Sequence, residues 1–199
     1  MRRAYSATDT ERWERLPGDE IVPHPHAGYT LGLTINAAAE HIWPWLVQLG
    51  QGRGGFYTHE WVETLLGAHI HHVDRIVPAW QHLELGDTVR LTPDPYLGHP
   101  GQIMTVADIW PFRALAFRQT MPNGSVGSWA FMLRPQAGNS TRLLLRRRGE
   151  RPSMVDRVLW PGYLYMDRGM LHGIRERAEA MARAIDGPAE LAVTPVTAA

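Results

Sequence analysis

A chain of 199 residues with 44% hydrophobic residues is long enough for one domain with a substantial core. Its 20 basic and 20 acidic residues cancel, and every basic residue is Arg, so there is no electrostatic footprint for nucleic acid or an anionic membrane. The absence of Cys excludes disulfides, thiolate catalysis and Cys-based zinc sites. No run approaches the roughly 18 apolar residues of a membrane span, and the start MRRAYSATDTERW lacks an apolar leader core, so a cytoplasmic protein is expected.

Residues 1–27 are polar, carry Pro17, Pro23 and Pro25, and read as a lead-in wrapped over the domain, with no chemistry of their own. Tyr29, Leu31, Leu33 and Ile35 then alternate with Thr30, Gly32 and Thr34, the period of a half-buried strand. Asn36 is expected to cap a helix that opens AAAEHIW and stops at Gly50.

Gly50, Gly52 and Gly55 imitate a dinucleotide fingerprint, with Asp74 following at a suitable distance. That motif needs a strand before it, and here a helix is expected, so the stretch reads as a glycine connection to a second short helix from about Thr58 to Leu66. Trp61, Leu65 and Phe56 would form the buried side of that helix. His69, His71, His72 and Asp74 have ligand chemistry, but without a fixed-spacing zinc motif they read as loop histidines.

From Asp87 onward DTVRLTP, QIMTVADIW, RALAFRQT, SVGSWAFMLRP and STRLLLRRRGE are short strands separated by Gly, Pro and Asn turn signals, which predicts antiparallel hairpins. Alternation puts Phe117, Gln119, Trp129, Phe131 and Leu133 on one face. On the last strand it puts Arg147 inside and Arg142, Arg146 and Arg148 outside, where they read as charges protecting an exposed strand edge.

The segment Leu159–Ile185 is a long helix. Tyr163, Met166, Met170, Ile174, Ala178, Met181 and Ile185 recur at steps of three and four as a buried stripe, with Pro161 in the first turn and Gly187-Pro188 as the stop. Asp167, Arg168, Arg175, Glu176, Glu179 and Arg183 are assigned to the face in water.

This order of elements resembles the START-like, or SRPBCC, superfamily. The narrower match lies in LPGDEIVPHP, WPWLVQLGQGRGGFYTHEWVE, IHHVDRIVPAWQHLELGDTVRL, WAFMLRP with TRLLLRRRG, and PGYLYMDRGMLHGIRERAE, which look like an uncharacterised bacterial branch related to Bet v 1-like and polyketide cyclase-related proteins. The resemblance implies an α+β helix-grip fold over residues 28–186, with residues 187–199 as a flexible tail. It further implies a curved antiparallel sheet of six to seven strands, two short helices and the long C-terminal helix, the seventh strand falling near Ile70–Val77. It implies an enclosed site for a hydrophobic small molecule, such as a lipid, polyketide or terpenoid-like compound. The residues expected to line it are Phe56, Tyr57, Trp61, Phe117, Gln119, Trp129, Phe131, Tyr163, Met166, Met170 and Ile174.

Two other classes stay open. One is an enzyme of the polyketide cyclase or aromatase kind, for which Tyr163, His172, Gln119, Arg147 and Asp108 are the candidate acid–base groups. The other is a protein-interaction module with a filled core. No cofactor, metal or nucleic acid is expected, and the chain would be a monomer or homodimer.

Overall fold

The computed structural model describes residues 5–58, 72–95, 101–121, 124–151 and 154–186, with side chains left aside at 154–160 and 186. Its centre is one six-stranded antiparallel sheet: β1 (Ala27–Ile35), β2 (Thr88–Arg90), β3 (Ile103–Trp110), β4 (Ala114–Thr120), β5 (Val126–Gln136) and β6 (Ser140–Gly149), in the order β1-β6-β5-β4-β3-β2. Among the described residues, helices α1 (Asp9–Trp13), α2 (Ala39–Val47) and α3 (Met154–Asp186) accompany the sheet in an α+β fold. The last helix lies against one face of the sheet, the helix-grip arrangement. Residues 72–77 form no strand, and the expected second short helix, with Trp61 and Leu65, falls outside the described residues, as do His69, His71 and the tail 187–199.

Alternation along the strands builds the core. Leu31, Leu33, Leu115, Phe117, Trp129, Phe131, Leu133, Leu143 and Leu145 share the helix face and pack with Met170, Leu171, Ile174 and Ala178 of α3 and with Ile42, Trp45 and Leu46 of α2. Burying each of the larger side chains contributes about 1.5–3 kcal/mol, which is why the period-2 pattern dictates the sheet. The helix start differs from expectation: the N-cap of α2 is Ala38, without a side-chain bond, while Asn36 donates its backbone N–H to Glu179 Oε1 at 3.0 Å. That bond ties the β1–α2 turn to α3.

Helix α3 begins before Pro161, which therefore sits inside the helix and not in its first turn. Its buried stripe is also rotated. Asp167, Met170, Leu171, Ile174, Ala178 and Ala182 are buried, whereas Tyr163, Met166 and Met181 are half-buried and Ile185 is exposed. Gly173 explains the close seating of the helix, because a Cβ there would collide with the Tyr57 carbonyl and side chain.

The opposite face of the sheet is covered by the N-terminal segment. Leu16 packs on Ala114, Met132 and Leu144. Gly18, at φ 87°, lies so close that a Cβ would sit 2.8 Å from that of Ala116. Strand β6 runs between β1 and β5, so its outer arginines guard no exposed edge. They are instead paired with the lead-in. Arg142 holds Glu11 through Nε at 2.9 Å, Arg146 holds Asp19 at 2.7 Å, and Arg148 reaches the same Asp19 oxygen at 2.9 Å. Arg146 also donates to the carbonyls of Glu11, Arg12 and Glu14 and to Thr30 Oγ1. Its burial lowers its pKa, partly offset by the charge of Asp19.

Candidate functional site

The helix face of the sheet is ordered in rows, because hydrogen-bonded partners on adjacent strands stand side by side. One row reads Leu31, Leu145, Phe131, Leu115. The next reads Tyr29, Arg147, Trp129, Phe117, and the outermost reads Ala27, Gly149, Gly127, Gln119. Side-chain volume falls abruptly at that last row. A Cβ built on Gly149 meets nothing within 4 Å. A cleft of about 80 Å³ opens there, walled by Gln119, Met121, Val126, Arg147 and Tyr163 and floored by the two glycines.

A polar assembly stands in the row above the cleft. Arg147 grips Asp167 with two bonds, Nε to Oδ2 at 2.6 Å and Nη2 to Oδ1 at 2.9 Å, and the Tyr29 hydroxyl donates to Asp167 Oδ2 at 2.6 Å. The guanidinium also stacks on Trp129, 4.2 Å from the ring centroid, so cation–π attraction and the forked ion pair fix it together. Burial would by itself pull the Arg147 pKa down, but its interactions with the surrounding groups, the Asp167 carboxylate foremost, together more than offset it and raise the pKa above the ordinary value. Burial, reinforced by the Asp167 charge, raises the Tyr29 hydroxyl above the usual phenol range. Asp167, assigned to the water face from its charge, is 2% exposed and turned to the sheet.

Arg147 therefore points inward as its register predicts. Gln119 and Tyr163 border the cleft. Phe56, Phe117, Trp129 and Phe131 form a connected aromatic group with centroid separations of 6.0, 6.3 and 5.1 Å, packed with Met170 and Ile174 in the core. Tyr57, at φ 55°, stacks edge-on against Trp45 at 5.7 Å, and its hydroxyl donates to the Trp45 carbonyl while accepting from Gln48 Nε2. Burial raises its pKa as it does that of Tyr29. Met166 is half-buried on the same helix.

The other acid–base candidates lie apart from the cleft. His172 lies on the surface of α3 between Arg175 and Glu176. Asp108 accepts from Trp110 Nε1 at the β3–β4 end of the sheet. His72 accepts the backbone N–H groups of Phe56 and Tyr57 on Nδ1, which makes it a bracket for the chain after the glycine connection. Gly50 and Gly55 pair with each other, closing that connection into a tight loop after α2.

Sequence reasoning missed Tyr29, Asp167, Gly127 and Gly149. The two glycines carried a signal, since glycine inside a strand marks a place where side-chain volume is withheld. Asp167 carried one too: it stands four residues after Tyr163 and three before Met170, inside the stripe.

No family model matches the chain, and no curated protein does. Among solved structures it is similar to protein MLL2253 from Mesorhizobium loti, at 18% identity over 80% of this chain and 99% of that one, with a TM-score of 0.46. It is similar to the Aha1 dimer from Colwellia psychrerythraea, at 14% identity over 77% and 96% of the two chains and a TM-score of 0.47. A third is DynU16, a protein of the dynemicin biosynthetic locus, at 14% identity over 79% of this chain and 49% of that one, with a TM-score of 0.46.

Proposed function

We propose that this chain binds a hydrophobic small molecule between α3 and the helix face of the sheet, entering at the glycine-floored cleft. The observation that carries the reading is the step in side-chain size from the row Tyr29, Arg147, Trp129, Phe117 to the row Ala27, Gly149, Gly127, Gln119, beneath Tyr163. Above the step the face is packed with aromatic groups, and below it there is open volume bordered by both apolar and polar side chains. The half-buried Tyr163 and Met166 on α3 offer adaptable apolar contact at the same end of the helix. The START-like resemblance of the sequence supports the same reading.

Binding is favoured over acid–base catalysis by the state of the polar groups. Both oxygens of Asp167 are engaged by Arg147, and Tyr29 takes a second bond on one of them. The oxygens of this carboxylate are thus already committed to partners within the protein.

The test uses the neutral fluorophore N-phenyl-naphthylamine with the wild-type chain and Gly149→Leu. Saturable fluorescence enhancement is expected, weakened on the order of tenfold when leucine fills the cleft. Equal binding by both proteins would overturn this location for the site.

A further inference from the structure

We infer that the ligand of this cleft is an apolar carboxylic acid, held by its carboxylate at Arg147; this rests on the binding site proposed above. Arg147 spends Nε and Nη2 on Asp167, and among the described residues its Nη1 makes no hydrogen bond. The side chain is 24% exposed and borders the cleft, so this donor is within reach of a molecule there. It is also already oriented. The forked pair with Asp167 and the stack on Trp129 hold the guanidinium in place, so a ligand oxygen gains a charge-assisted bond without ordering a long side chain.

The neighbouring groups favour an acceptor. The residues bordering the cleft include Arg147, Arg148 and Arg151 against one carboxylate, Glu150, which accepts the Val126 N–H at 3.1 Å. Arg148 is satisfied by Asp19 on the other face of the sheet and Arg151 is exposed to water, which leaves Arg147 as the recognition group. Asp167 is the opposing charge, and it is shielded by the three bonds it accepts. The cleft volume is about 80 Å³. That suits a carboxylate head group, with the apolar remainder against Met121, Val126 and Tyr163.

Displacement of N-phenyl-naphthylamine by decanoate and by decanol tests this. Decanoate is expected to displace the probe at least about tenfold more effectively than decanol from the wild-type chain. The double variant Arg147→Met with Asp167→Asn removes both charges, so no uncompensated ion is left buried, and the preference should fall below about threefold. Arg147→Lys keeps the charge without the fork and should retain an intermediate preference. Equal displacement by decanoate and decanol overturns the carboxylate inference while leaving the apolar site standing. An undiminished preference in the folded double variant moves the head group away from Arg147 and overturns it as well. Failure of the probe and of both compounds to bind overturns the binding site itself and the inference with it.

Discussion

Arg146 and Arg147 are consecutive on one strand and bind one aspartate each, but the two faces of the sheet use them differently. Arg146 faces outward and is closed in: its donors go to Asp19, Thr30 and three carbonyls of the N-terminal segment, and it is 3% exposed. Arg147 faces the helix, keeps one nitrogen uncommitted, and borders open volume. Charge type is the same in both places. The difference is how much of the guanidinium is used up, and it separates a group that fastens the chain from one that can take a ligand.

The comparison breaks most severely at Arg146. Arg146→Met leaves Asp19 in place and strands three carbonyls, that of Glu11 buried and those of Arg12 and Glu14 partly so, and a loss of about 3–5 kcal/mol is expected from urea unfolding. Adding Asp19→Asn should not restore it, because the carbonyls stay without donors and Arg148 loses its partner. On the helix face the same pair of experiments should come out differently. Arg147→Met alone costs about 2–3 kcal/mol, less because the side chain is partly in water, and Asp167→Asn in the same chain recovers most of it. Recovery on both faces, or on neither, would erase the distinction.

Gly173→Ala sharpens the comparison by moving α3 without touching a charge. Alanine favours a helix by up to about 1 kcal/mol, but its methyl collides with the Tyr57 backbone, so net destabilisation of about 1–3 kcal/mol is expected from thermal or urea unfolding.

The outer face also has an acid dependence. The hydrogen bond from Arg142 lowers the Glu11 pKa from 4.5 to about 2, outweighing the opposing effect of burial. A carboxyl whose pKa is depressed on folding contributes stability above its unfolded value and loses it as pH falls through its folded value. The stability gap between wild type and Glu11→Gln should thus be constant above pH 4.5 and shrink towards pH 2, as read by urea midpoints across that window. A gap that grew on acidification would contradict the assignment. Smallest of all is Gly149→Leu, whose side chain enters open space and should change stability by less than about 0.5 kcal/mol while blocking the cleft.

The strands and the long helix were legible in the sequence because their signals are local. Alternation of Trp129, Phe131 and Leu133, or of Leu143, Leu145 and Arg147, is a statement about adjacent residues, and burial of one face enforces it whatever packs on top. What the tertiary structure alone decided was the destination of the charges. Asp167 meets a residue 20 positions away, and Asp19 one 127 positions away, separations at which no periodicity carries information. A charged residue on a helix reads as solvated until a partner is brought to it, since an unpaired buried carboxylate is too costly to expect. Folding supplied Arg147 to Asp167 and the lead-in to Arg146. The cleft arises the same way: Gly127 and Gly149 become a floor only because antiparallel register sets them side by side under Tyr163.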